Sequence, residues 1–176
     1  MVTPLAQFLL DHGAIEEGDF TLASGRKSRF YVDVKTAATS PVFLARIADE
    51  VVSRIPFDTV AGVAVGGVPL AVAVSLASGR RYAIIRAGEK THGKPGVIIG
   101  DVSGKHVLLV EDVTTSGGSA LYGIRALRAA GAEITHVAVV VDREEGAREL
   151  LEKEGITLLP LVSIGEVLPS GSGLSD

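Results

Sequence analysis

Two runs in the chain, Val107-Leu108-Leu109-Val110 and Val137-Ala138-Val139-Val140-Val141, are apolar at every position rather than at alternate ones. A strand with one wet face alternates apolar and polar side chains, so an unbroken run predicts a strand covered on both sides, as in parallel sheets layered between helices. The surrounding sequence repeats this arrangement. Strands are expected at 59–65, 82–85, 97–101, 106–110, 134–141 and 157–161, with helices at 69–78, 118–130 and 144–154. A further helix starts at Ser40-Pro41 and runs to about Arg54. The first begins at Thr3-Pro4, puts Leu5, Phe8 and Leu9 on one face and stops before Gly13. The fold class read from this pattern is α/β, an open, mainly parallel sheet flanked by helices.

At 176 residues the chain has the size of one domain spanning 1–176. The segment Phe20 to Val34 reads as two short strands around the turn Ser24-Gly25-Arg26-Lys27-Ser28, so residues 1–35 are expected to be an appendage of that domain. The stretch from Thr59 to Gly79 carries no charge, but Gly66, Gly67 and Pro69 divide it into a strand and a helix, and no membrane partner is expected. A net charge of -4 without a basic block argues against nucleic acid as a partner. The absence of cysteine excludes thiolate metal sites and a Cys nucleophile, and points to the cytoplasm.

In open α/β sheets ligands sit beyond the carboxyl ends of the strands. There, Glu111-Asp112-Val113-Thr114-Thr115-Ser116-Gly117-Gly118-Ser119 places two carboxylates at the end of an apolar strand and a hydroxyl- and glycine-rich loop before a helix. Backbone amides at a helix start, with Thr and Ser hydroxyls, suit a phosphate monoester. The carboxylates repel phosphate and must serve otherwise, through hydrogen bonds to sugar hydroxyls, a Mg2+ ion, or stabilisation of a cationic transition state. A ribose phosphate accommodates all three. No Gly-Lys-Ser/Thr follows, which excludes a Walker A loop, and no G-x-G-x-x-G occurs.

A second strand-to-helix turn, Val65-Gly66-Gly67-Val68-Pro69, offers amides to an anion with no side chain in the way. Between two strands, Arg86-Ala87-Gly88-Glu89-Lys90-Thr91-His92-Gly93-Lys94-Pro95-Gly96 is polar and mostly basic and reads as a mobile loop, a lid whose cations suit the phosphates of the two neighbouring loops.

The segment from Val107 to Ser119 resembles, over all its residues, the 5-phosphoribosyl 1-diphosphate (PRPP) motif of type I phosphoribosyltransferases. Val65 to Pro69 is similar to that family's pyrophosphate loop. Phe20 to Asp33 resembles the N-terminal signature of orotate phosphoribosyltransferases, and Asp142-Arg143-Glu144-Glu145-Gly146-Ala147 the segment that supplies their orotate-binding Arg. The likeness runs from Leu5 to Leu161 in family order. It departs at Ala23 and Ala87, where many members have Lys, so that the lid charge rests on Arg86, Lys90 and His92.

This resemblance implies the type I phosphoribosyltransferase fold, with residues 1–35 forming a small hood over the base, and transfer of phosphoribose from PRPP to orotate. Glu111, Asp112, Lys90 and His92 are the implied catalytic residues. PRPP would meet these four together with Arg86, Gly66, Gly67, Val113, Thr114, Thr115, Ser116, Gly117, Gly118 and Ser119. Orotate would meet Ser24, Lys27, Phe30, Tyr31, Thr115 and Arg143. Mg2+ is the implied cofactor, arriving through PRPP rather than a protein cage, and a homodimer with the lid acting in trans is the implied assembly. The segments Phe20 to Asp33 and Asp142-Arg143 argue against a purine or other pyrimidine phosphoribosyltransferase, and the missing basic segment argues against a PRPP-sensing regulator that keeps the fold without turnover.

Overall fold

The computed structural model describes residues 2–21, 27–88 and 96–167. Its elements in chain order are α1 (Pro4–Asp11), β1 (Ile15–Thr21), β2 (Lys27–Val32), α2 (Val34–Ala37), α3 (Pro41–Val52), β3 (Thr59–Val63), α4 (Gly67–Ser78) and β4 (Arg81–Ile85). There follow β5 (Ile98–Ile99), β6 (Val107–Thr114), α5 (Gly118–Ala129), β7 (His136–Asp142), α6 (Ala147–Glu152) and β8 (Thr157–Ser163). Strands β1 and β2 form an antiparallel pair, and the other six form one sheet in the order β5-β4-β3-β6-β7-β8. All pairings in that sheet are parallel except the edge strand β5, which is antiparallel to β4.

The apolar runs are central strands, as their composition requires. Leu108 and Val110 of β6 pack on one face with Leu5, Leu9, Phe43, Ile47, Leu70 and Val74, from helices α1, α3 and α4. Val107 and Leu109 pack on the other face with Ile124, Leu127 and Leu151, from α5 and α6. Alternate residues of one strand thus feed two cores. The helix starts follow local chemistry: Thr3 Oγ1 accepts the Ala6 amide at 3.2 Å and Ser40 Oγ the Phe43 amide at 3.4 Å, each followed by Pro in the first turn.

Several boundaries differ from expectation. β6 continues past Val110 to Thr114, because Val113 and Thr114 pair with Val141 and Asp142 of β7. The carboxylates therefore lie within the strand rather than at its end. The strand expected at 97–101 is reduced to Ile98–Ile99, since Gly96 and Gly100 hold φ near +115° and cannot extend it. The helix expected from 144 starts at Ala147, because Glu144 and Gly146 both have positive φ. β1 begins at Ile15, five residues before Phe20, and a register shift between Glu17 and Phe20 bends it.

Candidate active site

From the β3/β6 boundary the chain steps outward in both directions, to β4 through α4 and to β7 through α5, with the two helices on opposite faces. The loops after β3 and β6 diverge there, at the carboxyl edge where such sheets place their ligand crevice. Gly66 lies in that crevice against the Asp112 carboxylate, where a Cβ would overlap it. A Cβ on Gly67 would stand 2.7 Å from the Val110 carbonyl oxygen. Main chain alone can approach β6 this closely.

Glu111 and Asp112 are both buried, 3% and 6% exposed. Being successive strand residues, they leave β6 on opposite faces. Glu111 turns under α5, where its Oε1 accepts a 3.1 Å hydrogen bond from Ser119 Oγ. Burial, reinforced by the neighbouring Asp112 charge, pushes the Glu111 carboxyl up to about 8, against the opposing pull of Ser119 and Lys35. Asp112 turns toward Gly66 and α2. Its Oδ2 lies 2.7 Å from Lys35 Nζ, and the contact raises the Lys35 pKa despite partial burial. The two groups form an ion pair with one member exposed and the other buried.

The β6–α5 loop is built for a tight turn into a helix. Gly117 takes a left-handed conformation (φ 85°) as the N-cap, and a Cβ there would meet the Ala147 Cα at 3.1 Å. Thr115, Ser116, Gly118 and Ser119 are exposed along it, while Val113 is half-buried. The Thr114 hydroxyl points inward and donates to Asp142 Oδ1 at 3.1 Å, an oxygen that also accepts the Glu144 amide at 3.0 Å. The Arg143 amide donates to the Thr114 carbonyl at 3.0 Å, which ties Arg143 to the end of β6. Its Nε donates to Glu145 Oε1 at 2.9 Å.

At the N-terminal hairpin, Lys27 Nζ donates to Thr21 Oγ1 at 2.7 Å. Tyr31 is exposed, with its ring 5.6 Å from that of Phe20. Phe30 is buried among the core residues that α1 and α3 also contribute. Arg86 Nη1 donates to the Gly96 carbonyl at 3.2 Å, and the Arg86 carbonyl accepts from Tyr122 Oη at 2.9 Å. Ser24, Lys90 and His92 lie outside the described residues. Among the described residues no three His, Asp or Glu side chains converge as for a metal ion, and no helix is long and apolar enough to cross a membrane.

Lys35 is not among the site residues expected from the sequence. No local pattern links it to Asp112, although Asp33 followed by Thr36 is the signature of the cap that creates α2.

Comparisons with known proteins give concordant results. A family model of the phosphoribosyl transferase domain matches residues 43–163. The orotate phosphoribosyltransferase of Methanoculleus marisnigri is 61% identical over 168 residues, covering 96% of this chain and 99% of the relative. Among solved structures, the orotate phosphoribosyltransferase of Aeropyrum pernix superposes with a TM-score of 0.80 at 32% identity, covering 93% of this chain and 96% of that one. That of Mycobacterium tuberculosis in complex with PRPP gives a TM-score of 0.74 at 31% identity, with the same coverage.

Proposed function

Because the chain belongs to the orotate phosphoribosyltransferases, members of the phosphoribosyl transferase family, we propose that it converts PRPP and orotate to orotidine 5'-monophosphate and pyrophosphate in pyrimidine biosynthesis. The observation that carries the reading is a contact near the carboxyl edge of the sheet: the buried Asp112 carboxylate lies against the Gly66 backbone, between two glycine-rich turns.

The reaction is displacement at the anomeric carbon of ribose, with positive charge developing on the ring. Asp112, beside the ring, stabilises that charge more in the transition state than in the ground state. The amides and hydroxyls of Thr115 to Ser119 hold the 5-phosphate, and the amides at Gly66 and Gly67 face the diphosphate. Arg86, with Lys90 and His92, neutralises the leaving group. Orotate is bound through its carboxylate by Arg143 and Lys27, with Tyr31 beside the base and residues 1–35 as its hood. Mg2+ fits a site of this kind as an ion carried by PRPP oxygens, where it would neutralise diphosphate charge.

The proposed assembly is a homodimer. Helix α4 is apolar apart from Ser75 and Ser78, and Leu76 on it is 80% exposed, which suits contact with a second copy. The proposed setting is the cytoplasm, in keeping with a cysteine-free composition.

A spectrophotometric assay of orotate consumption with PRPP and Mg2+ tests the function, with uracil and hypoxanthine as rival acceptors. Turnover of orotate alone is expected. Preference for another base, or PRPP binding without pyrophosphate release, would overturn the reading.

A further inference from the structure

Lys35 combines a fixed base with a free arm. Its helix α2 is anchored by Asp33, whose Oδ1 accepts the Thr36 amide at 3.0 Å and whose Oδ2 accepts Thr36 Oγ1 at 2.7 Å, while Val34 and Ala37 are buried. The Lys35 side chain is 62% exposed, yet its ammonium stands 2.7 Å from Asp112 Oδ2, on a side chain only 9% exposed. Since that carboxylate packs against Gly66, the ammonium stands at the mouth of the β3–α4 turn.

Resting on the reading above, we propose that Lys35 is a PRPP-binding residue that changes partner: it neutralises Asp112 in the empty site and moves to the diphosphate when the ribose hydroxyls reach that carboxylate. Three features support the exchange. An uncompensated Asp112 would repel a substrate as anionic as PRPP, so a counter-ion is needed before binding. The pair is solvent-screened on the Lys side, and ribose hydroxyls reaching Asp112 would take over the partner that the ammonium gives up. The ammonium already borders the turn that faces the diphosphate, so a rotation of the side chain about its own bonds suffices to reach it.

The test compares Lys35→Met, which keeps the stem without the charge, with Lys35→Arg, which keeps the charge. PRPP affinity is measured by calorimetry with Mg2+, alongside orotate KM, kcat and thermal midpoint. Lys35→Met is expected to weaken PRPP at least about tenfold while changing orotate KM less than about threefold, and Lys35→Arg to recover most of the loss. The thermal midpoint should stay close to that of the parent protein, because the pair is exposed on one side. Unchanged PRPP affinity in Lys35→Met overturns the proposal. So does a failure of Lys35→Arg to rescue, or a uniform loss of all parameters with a lowered midpoint. The functional reading fails separately, if the parent protein binds PRPP but does not consume orotate; calorimetry still reports on Lys35 in that case.

Discussion

Ser119 Oγ, on the first turn of α5, donates a hydrogen bond to Glu111 Oε1 inside β6 and so couples the start of the helix to the protonation of a buried carboxyl. The bond favours the charged form of Glu111, while burial and Asp112 favour the neutral form and prevail.

The folded protein therefore binds a proton at Glu111 that the unfolded chain, with an ordinary carboxyl near 4.5, releases. The Glu111 contribution to stability falls as pH rises from about 4.5 to about 8, since at this group the folded state holds more protons across that window. Glu111→Gln keeps the size and the acceptor for Ser119 but removes the titration. Its stability relative to the parent should be flat in acid and rise toward pH 8, by at most about 5 kcal/mol. Thermal melts of both proteins at pH 5 and pH 9 decide it; parallel curves would reject the raised carboxyl.

Asp112→Asn preserves shape and removes the charge beside the ribose. Turnover should fall by about a hundredfold or more while PRPP affinity changes much less, because the lost interaction is strongest in the transition state. A raised KM for PRPP with unchanged kcat would assign Asp112 to ground-state binding instead.

Gly66→Ala adds a single methyl where the Asp112 carboxylate now lies. The backbone at Gly66 is right-handed helical (φ -63°), so the conformation tolerates alanine and only the contact objects. Activity should drop about tenfold or more with the fold intact, as a displaced carboxylate requires. Circular dichroism and steady-state kinetics on the same preparation separate the two effects.

Arg143→Ala should weaken orotate selectively, at a cost of about 2 to 5 kcal/mol, because a substrate carboxylate loses its charged partner in a poorly hydrated site. The side chain is mostly buried and held by Glu145, which favours a positioned guanidinium. Equal weakening of PRPP and orotate would remove Arg143 from the base site.

Mixing two inactive variants tests the shared lid. Lys90→Ala/His92→Ala and Asp112→Asn, exchanged at random in equal amounts, would recover up to about a quarter of parent activity if the lid serves the neighbouring subunit, since each heterodimer then has one intact composite site. A lid acting within its own subunit would restore none.

The sheet was legible because its central strands are apolar on both faces, a signal that depends only on side-chain hydrophobicity. The boundaries were less so. Glu111 and Asp112 looked like the end of a strand because charge usually marks one, whereas the ladder to Val141 and Asp142 carries β6 on to Thr114. The site's two turns could be located from their glycines and hydroxyls. Two tertiary facts could not be read in the same way: the inward turn of Thr114 to Asp142 and the arrival of Lys35 at Asp112. Each depends on a partner brought in by folding, and the Lys35 pair joins segments with no common motif.

The turn from Val65 to Pro69 has no side chain that gains or loses a proton, and its glycines bring bare peptide groups to one wall of the crevice. Peptide amides keep the same dipole at any acidity the fold survives. The opposite wall, on β6, carries the Asp112 carboxylate, while Glu111 is turned away under α5. Among the described residues, any proton-linked change in affinity must therefore originate outside the glycine turn.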